Sequence, residues 1–366
     1  MMRRRVLMPL LLLAACTTPA PKAAPPPPPP PPPVAVVAPP PPKPAFVAPT
    51  NAEFERWKAA YRAAALARGV PASTLDAVFT GMQPSQRAID LDRNQPGDGR
   101  AARFDAYLAR QVDAARINGG IAAANRMAAP LASAQAKTGV PAEIMTAIWG
   151  LESAYGKVTG NFDVPTALAT LAWEGRRAKL FTAELDAALD IITRNLAPRS
   201  ALTGSWAGAM GQPQFLPSSY LAYAVDGDGD GRADIWNSSP DALASIGNYL
   251  KLKGWQPGLS WGNVVTVPPG FDREAIRNPV RPTTCIRPLE RHSKQLTIAE
   301  WKALGLTSAT AFPADSVKAV LIEPDGPEGK AYLATANFRV IMEYNCSNFY
   351  ALSVALLGDA ISNRPK

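Results

Sequence analysis

The chain is poor in the side chains most enzymes rely on. Its 366 residues include one histidine, His292, and three cysteines. A zinc site of histidine and cysteine ligands has too little to draw on. A serine, histidine and aspartate triad would need His292, which sits in no recognisable motif. Beyond the first few residues there is no long apolar run, which excludes a polytopic membrane protein. The formal charge is +8, but no cluster of arginines and aromatics marks a nucleic-acid surface, so nucleic acid is not expected as a partner. Any catalysis here should rest on carboxylates.

The N-terminus has a basic stretch, Arg3-Arg4-Arg5, then an apolar stretch from Val6 to Leu13, ending in Leu13-Ala14-Ala15-Cys16. This resembles a bacterial lipoprotein signal, which implies removal of residues 1–15 and a lipid on Cys16. An ordinary secretory signal with a chance cysteine is the alternative. Thr17 after the cysteine, by likeness to Gram-negative lipoproteins, implies an outer-membrane protein facing the periplasm. Residues 16–50 hold sixteen prolines between Pro19 and Pro44, an extended tether that gains about 3.1 Å per residue. With Cys16 acylated, Cys285 and Cys346 remain in a compartment that permits disulfides. A bridge is their simplest pairing, and two separate buried thiols are the alternative.

Folded sequence begins near residue 51 and reads as mostly α. A helix is expected from Phe54, another from Ser73 to Phe79, and two more from Tyr107 to Asn118 and Ile121 to Thr138, parted by Gly119-Gly120. The helix that follows has both ends written in. Pro141 suits a first helical position, Glu143 the positive end, and Gly156 a stop. Ile144, Ile148, Leu151 and Tyr155 recur at helical spacing, with Glu152 on the flank of that apolar face. Lost hydration and the negative end of the helix both favour the protonated carboxyl, as a general acid requires. The alternative is a structural ion pair with Arg176 or Arg177.

Further on, Gly204 to Tyr220 is dense in glycine, glutamine, serine and aromatics, a composition suited to sugar hydroxyls and amides; an ordinary tight turn is the alternative. Next, Asp226, Asp228 and Asp230 stand at positions 1, 3 and 5 of an EF-hand-like loop with Gly231 at 6. Arg232 follows, and Asn237 replaces the closing glutamate. Asp241 is near enough to close a slightly longer loop. The expected metal is a structural Ca2+, the alternative a merely turn-forming acidic stretch, and no cofactor is expected for catalysis. Val264 to Val267, Thr283 to Arg287 and Ala319 to Ile322 read as strands, and the chain returns to helix from Asn337 to Leu357. The fold class is thus α+β, mainly α. It divides into an N-terminal helical region (51–130), a core with the acidic loop (131–262), a small β-rich subdomain (263–335) and a C-terminal helix (336–366).

Trp149-Gly150-Leu151-Glu152, the block from Ser205 to Tyr220, the aspartate loop and Tyr344-Asn345-Cys346-Ser347 with Tyr350 occur in this order. Together they resemble the membrane-bound lytic murein transglycosylase B family, over about Phe54 to Leu357. The resemblance implies a lysozyme-like catalytic core. It also implies cleavage of the β-1,4 bond between N-acetylmuramic acid and N-acetylglucosamine in peptidoglycan strands, with a 1,6-anhydro product. Glu152 matches the sole acid/base. Ser205, Gln214 and Trp206 would line the cleft, and Tyr344, Asn345 and Tyr350 would close it; core and cap roles are the alternative for these last three. Asp163, Glu174 and Asp226 are the nearest candidates for a second carboxylate. The other reading is a non-catalytic, calcium-stabilised peptidoglycan-binding lipoprotein. A monomer held to the membrane through its N-terminal lipid is expected in either case.

Overall fold

The helix Ala142–Ser153 is apolar on almost every side: Ile144, Met145, Ala147, Ile148 and Trp149 are all buried. A helix apolar all round must be enclosed, and this one is packed by the helices Ala114–Arg126, Ala128–Thr138, Ser239–Leu252 and Asn348–Ile361. Each large side chain it buries contributes about 2 kcal/mol of transfer free energy. The structure is a computed structural model that describes residues 51–95 and 103–362. The expected signal (1–15), the tether (16–50) and Cys16 lie outside the described residues.

Several helix ends differ from the sequence expectation. Pro141 has extended backbone and precedes the helix as its cap, and Pro71 does the same for Ala72–Phe79, where Ser73 was expected to cap. The Gly119-Gly120 pair lies inside the helix Ala114–Arg126. A Cβ at Gly120 would come within 2.7 Å of the Tyr155 hydroxyl and 2.5 Å of Ile361. The glycines therefore admit neighbouring side chains and do not break the helix. The C-terminal segment is two helices, Ala336–Tyr344 and Asn348–Ile361, where one was expected.

A short pair, β1 (Phe162–Asp163) and β2 (Thr203–Gly204), joins the loop after Glu152 to the glycine-rich block. Between them, Asp163 caps the buried helix Val164–Glu174 by accepting from the Thr166 amide at 2.9 Å. The remaining strands are β3 (Gly262–Val265), β4 (Leu296–Thr297), β5 (Lys318–Ile322) and β6 (Ala331–Ala334). They form an antiparallel sheet in the order β3-β6-β5-β4. Thr283 to Arg287 is not a strand; the chain there enters the short helix Ile286–Leu289. Central β6 alternates between two cores: Ala331 and Leu333 face a small cluster around Trp301, while Tyr332 and Ala334 join the main core. The boundary drawn at 130/131 falls inside the helix Ala128–Thr138. The described residues, 51–95 and 103–362, fall in one compact unit.

Candidate active site

The Glu152 helix ends abruptly. Ala154 and Tyr155 have φ of 50° and 62°, followed by Gly156 at 83°. Two consecutive non-glycine residues in the left-handed region are costly and persist only where the surroundings enforce them. The enforcement is visible. The Tyr155 hydroxyl donates to the Arg116 carbonyl at 2.6 Å, its ring lies over Gly150, and Arg116 donates to the Gly150 carbonyl at 3.1 Å. The turn folds back along the helix and leaves Glu152 in its last turn.

Glu152 keeps a little solvent access, but protein surrounds it on nearly every side. Burial pushes its carboxyl up to about 7, against the opposing effect of a hydrogen bond from Tyr350. That bond, from the Tyr350 hydroxyl to Oε1, is 2.6 Å long. Burial and the nearby carboxyl hold the Tyr350 phenol well above its ordinary value, so it stays a neutral donor.

The ion-pair alternative fails because both arginines are engaged elsewhere. Arg176 and Arg177 bind Asp92, itself 1% exposed. The candidate second carboxylates are engaged too: Asp163 is paired with Arg199 at 2.5 Å, Glu174 with Arg93, and Asp226 lies in the acidic loop. Among the described residues no other carboxylate acts on Glu152.

The C-terminal residues frame this acid from one short break. Tyr344 ends one helix, and its hydroxyl donates to the Pro213 carbonyl at 2.6 Å, tying the glycine-rich block to the C-terminal segment. Burial and Glu152 both raise its phenol far above the ordinary value. Ser347 caps the next helix by accepting from the Tyr350 amide at 3.3 Å. Asn345, between them, is exposed. Cys346 is bonded to Cys285 (S–S 2.01 Å, Cα–Cα 5.6 Å), which staples the segment between the two tyrosines. His292 is buried against Asn348 at 2.7 Å, and burial pushes its imidazole below the ordinary value.

In the glycine-rich block, the Ser205 hydroxyl accepts from the amides of Ala207 and Ala209 and so fixes its own turn. Gln214, at φ 53°, donates to the carbonyls of Thr159 and Gly211 at 3.0 and 2.8 Å, which holds the loop after Glu152 against this block. Trp206 is half-buried, with the Arg177 guanidinium 6.0 Å from its ring.

Two further residues were missed. Tyr107, half-buried on the helix Phe104–Gln111, lies within electrostatic reach of both Glu152 and Tyr350; nothing local in the sequence marks it. Gln212, 4% exposed, accepts from the Trp149 indole at 3.0 Å; its place in the block was the only signal.

In the acidic loop, carboxylate oxygens of Asp226, Asp228 and Asp230 lie within 4.8 Å of one another. The Arg232 amide donates to Asp230 at 2.8 Å. Asp241 stands apart from that cluster. Fully buried, it accepts from the amides of Gly227 (2.8 Å), Asp228 (3.3 Å) and Asp234 (2.7 Å), bracing the loop from behind.

Lysozyme-like helical packing around one lone acid is the plan of a lytic transglycosylase, an enzyme that opens murein glycan strands without water. The chain belongs to the family described as Transglycosylase SLT domain, whose model matches residues 53–359. It is 32% identical over 275 residues to membrane-bound lytic murein transglycosylase B of Escherichia coli, covering 73% of this chain and 70% of that protein. SltB3 of Pseudomonas aeruginosa, solved with NAG-anhNAM-pentapeptide, superposes with TM-score 0.76 and 41% identity over 84% of this chain and 79% of its own. The Escherichia coli transglycosylase Slt35, solved with calcium, gives 0.68 and 29% over 86% and 94%.

Proposed function

We propose that Glu152 carries out both proton transfers of a lytic transglycosylase acting on peptidoglycan. Protonated, it donates to the glycosidic oxygen between N-acetylmuramic acid and N-acetylglucosamine as the C1–O bond breaks. As carboxylate, it then takes the proton of the muramic acid C6 hydroxyl, whose oxygen bonds to C1. The strand ends in a 1,6-anhydro ring and the acid is restored. One observation carries this reading: a carboxyl raised to about 7 by burial, hydrogen-bonded among the described residues to a neutral tyrosine and to no cation. Ordinary glycosidases place a second carboxyl about 5–9.5 Å from the first, as nucleophile or to activate water. Here no such partner acts on Glu152 among the described residues, so the substrate's own hydroxyl supplies the nucleophile. Purified murein digested with the protein should release muropeptides ending in anhydromuramic acid. Masses one water heavier would make the enzyme a hydrolase, and no release at all would leave a binding lipoprotein.

In this reading Tyr344 and Tyr350 would line one side of the substrate cleft, and Asn345, exposed between them in the chain, would reach the glycan. The block from Ser205 to Gln214, with Trp206, which Tyr344 ties to the C-terminal segment through the Pro213 carbonyl, would meet the sugar rings and acetamido groups. Asp226, Asp228 and Asp230, with the main chain at Arg232, offer the hard oxygen donors that suit Ca2+. Support comes from their mutual closeness and from the calcium-bound Slt35 structure. Asp241 braces that loop. The ion would stabilise the fold beside the glycine-rich block and take no part in proton transfer. A melting temperature that chelator leaves unchanged would remove it from the account. The N-terminal pattern ending in Cys16 supports a lipid anchor in the outer membrane, with the proline-rich segment spanning toward the wall. Detergent-free fractionation of a Cys16→Ala variant should release the protein from membranes, and retention would rule the anchor out.

A further inference from the structure

We propose that Gln212 is a positioning residue for Glu152, acting through Trp149. Its carboxamide sits where three parts of the fold meet. Oε1 accepts from the Trp149 indole N–H at 3.0 Å and from the Ser239 hydroxyl at 3.0 Å. Nε2 donates to the Trp236 carbonyl at 3.2 Å, and the Gln212 amide donates to the Ile235 carbonyl at 2.9 Å. One buried side chain thus fastens the catalytic helix to the exit of the aspartate loop and to the start of the helix Ser239–Leu252.

The attachment point on the catalytic helix matters. Trp149 precedes Glu152 by three residues, about one turn, so both lie on the same side of the helix. The Trp149 carbonyl accepts from the Ser153 hydroxyl at 3.2 Å and the Tyr155 amide at 3.3 Å, so this residue also anchors the left-handed tail. That tail closes directly over Gln212: a Cβ on Gly156 would stand 2.6 Å from Oε1. Trp149 is 1% exposed, and without Gln212 its N–H has no partner and no access to water. The last turn of the helix would then shift to rehydrate it, carrying Glu152 along. A displacement of about 1 Å in a reacting group can cost about a hundredfold in rate.

The inference rests on Glu152 being the acid, and the experiment separates the two. Steady-state rates on soluble glycan strands are measured for Gln212→Met, Trp149→Phe and the double variant, each corrected for folded fraction. Trp301→Phe is the control. It loses an indole bond of the same kind, to the Ala319 carbonyl at 3.0 Å, in the small core of the sheet. Gln212→Met should lower kcat tenfold to a hundredfold with KM within twofold. The alkaline limb of its pH profile should move down, because loosened packing lets water reach Glu152. The double variant should be no worse than the poorer single, while Trp301→Phe should lower Tm and leave kcat unchanged. Lower Tm with unchanged kcat in Gln212→Met, or single effects that multiply, would overturn the proposal. If Gln212→Met does not fold, Trp149→Phe decides by the same kcat and pH criteria. Turnover retained by Glu152→Gln would instead strike down the acid assignment itself.

Discussion

Asp92 and Glu152 are both carboxyls drawn into the helical body, and their surroundings drive them to opposite charge states. At Asp92, burial works upward on the carboxyl, but the hydrogen bonds and charges of Arg176 and Arg177 outweigh it and hold the group below its ordinary range. At Glu152, burial acts against only one neutral phenol, and the carboxyl rises to about 7. The arginines that could have neutralised Glu152 lie on the same stretch of chain as the glycine-capped helix end at Gly175, and the fold directs them to Asp92. Desolvation alone therefore does not keep a carboxyl protonated near neutral pH. It does so where the fold withholds the cation.

The largest effect that can break this comparison is on turnover. Glu152→Gln should reduce anhydromuropeptide release at least about a thousandfold, within the range of acid–base contributions. The same variant should be more stable than the parent at neutral pH. A carboxyl raised from about 4.5 to about 7 binds more protons folded than unfolded between those values. Its favourable contribution is complete at low pH and is lost as pH rises through 7. Glu152→Gln should therefore gain about 2 kcal/mol over the parent between pH 5 and 8, read from urea unfolding at several pH values. A flat difference across that range would mean the carboxyl is not raised.

Asp92→Asn tests the other half. Breaking a buried ion pair costs about 3–5 kcal/mol, and the solvent contact of both arginines reduces this to about 2 kcal/mol. Here the sign reverses. A depressed carboxylate contributes stability above its unfolded pKa, and that contribution disappears on acidification. The gap between Asp92→Asn and the parent should close as pH falls below about 4, while kcat at pH 6 stays within about threefold. A tenfold loss of kcat would show that the Asp92 cluster reaches the chemistry.

How much of this was legible in the sequence follows the same division. Glu152 could be singled out as a candidate acid because helix punctuation, apolar spacing and the scarcity of histidine all converge on one stretch. Its partner state could not be read, because whether Arg176 faces Glu152 or Asp92 depends on contacts across 84 residues of chain. The small sheet was only half visible. Strand β6 is buried on both faces, so Ala331-Tyr332-Leu333-Ala334 shows no alternation of apolar and polar residues. Thr283 to Arg287 has strand-like composition, but Cys285 at φ 48° begins a helical turn there, held by the disulfide. The break between Tyr344 and Tyr350 was hidden for a related reason: both flanking segments have helical periodicity, and the interruption comes from Ser347 capping the second.

The finest test concerns the hydrogen bond between Tyr350 and Glu152. The Tyr350 hydroxyl donates to Oε1 at 2.6 Å and so favours the charged form, opposing burial. Tyr350→Phe removes that donor and leaves the ring in place. The carboxyl should climb further above 7, moving the alkaline limb of the rate profile up by about one pH unit, since a hydrogen bond to a charged group contributes about 1.5–3 kcal/mol and part of it is replaced by solvent. At pH 6, where Glu152 is protonated in both proteins, the acid step loses only orientation. The base step loses stabilisation of the carboxylate as well, so kcat should fall about tenfold. The two effects have opposite consequences at high pH, where the upward shift leaves more of the variant protonated and narrows its deficit. A deficit that instead widens above pH 7 would mean that Tyr350 holds Glu152 protonated, reversing the balance that separates it from Asp92.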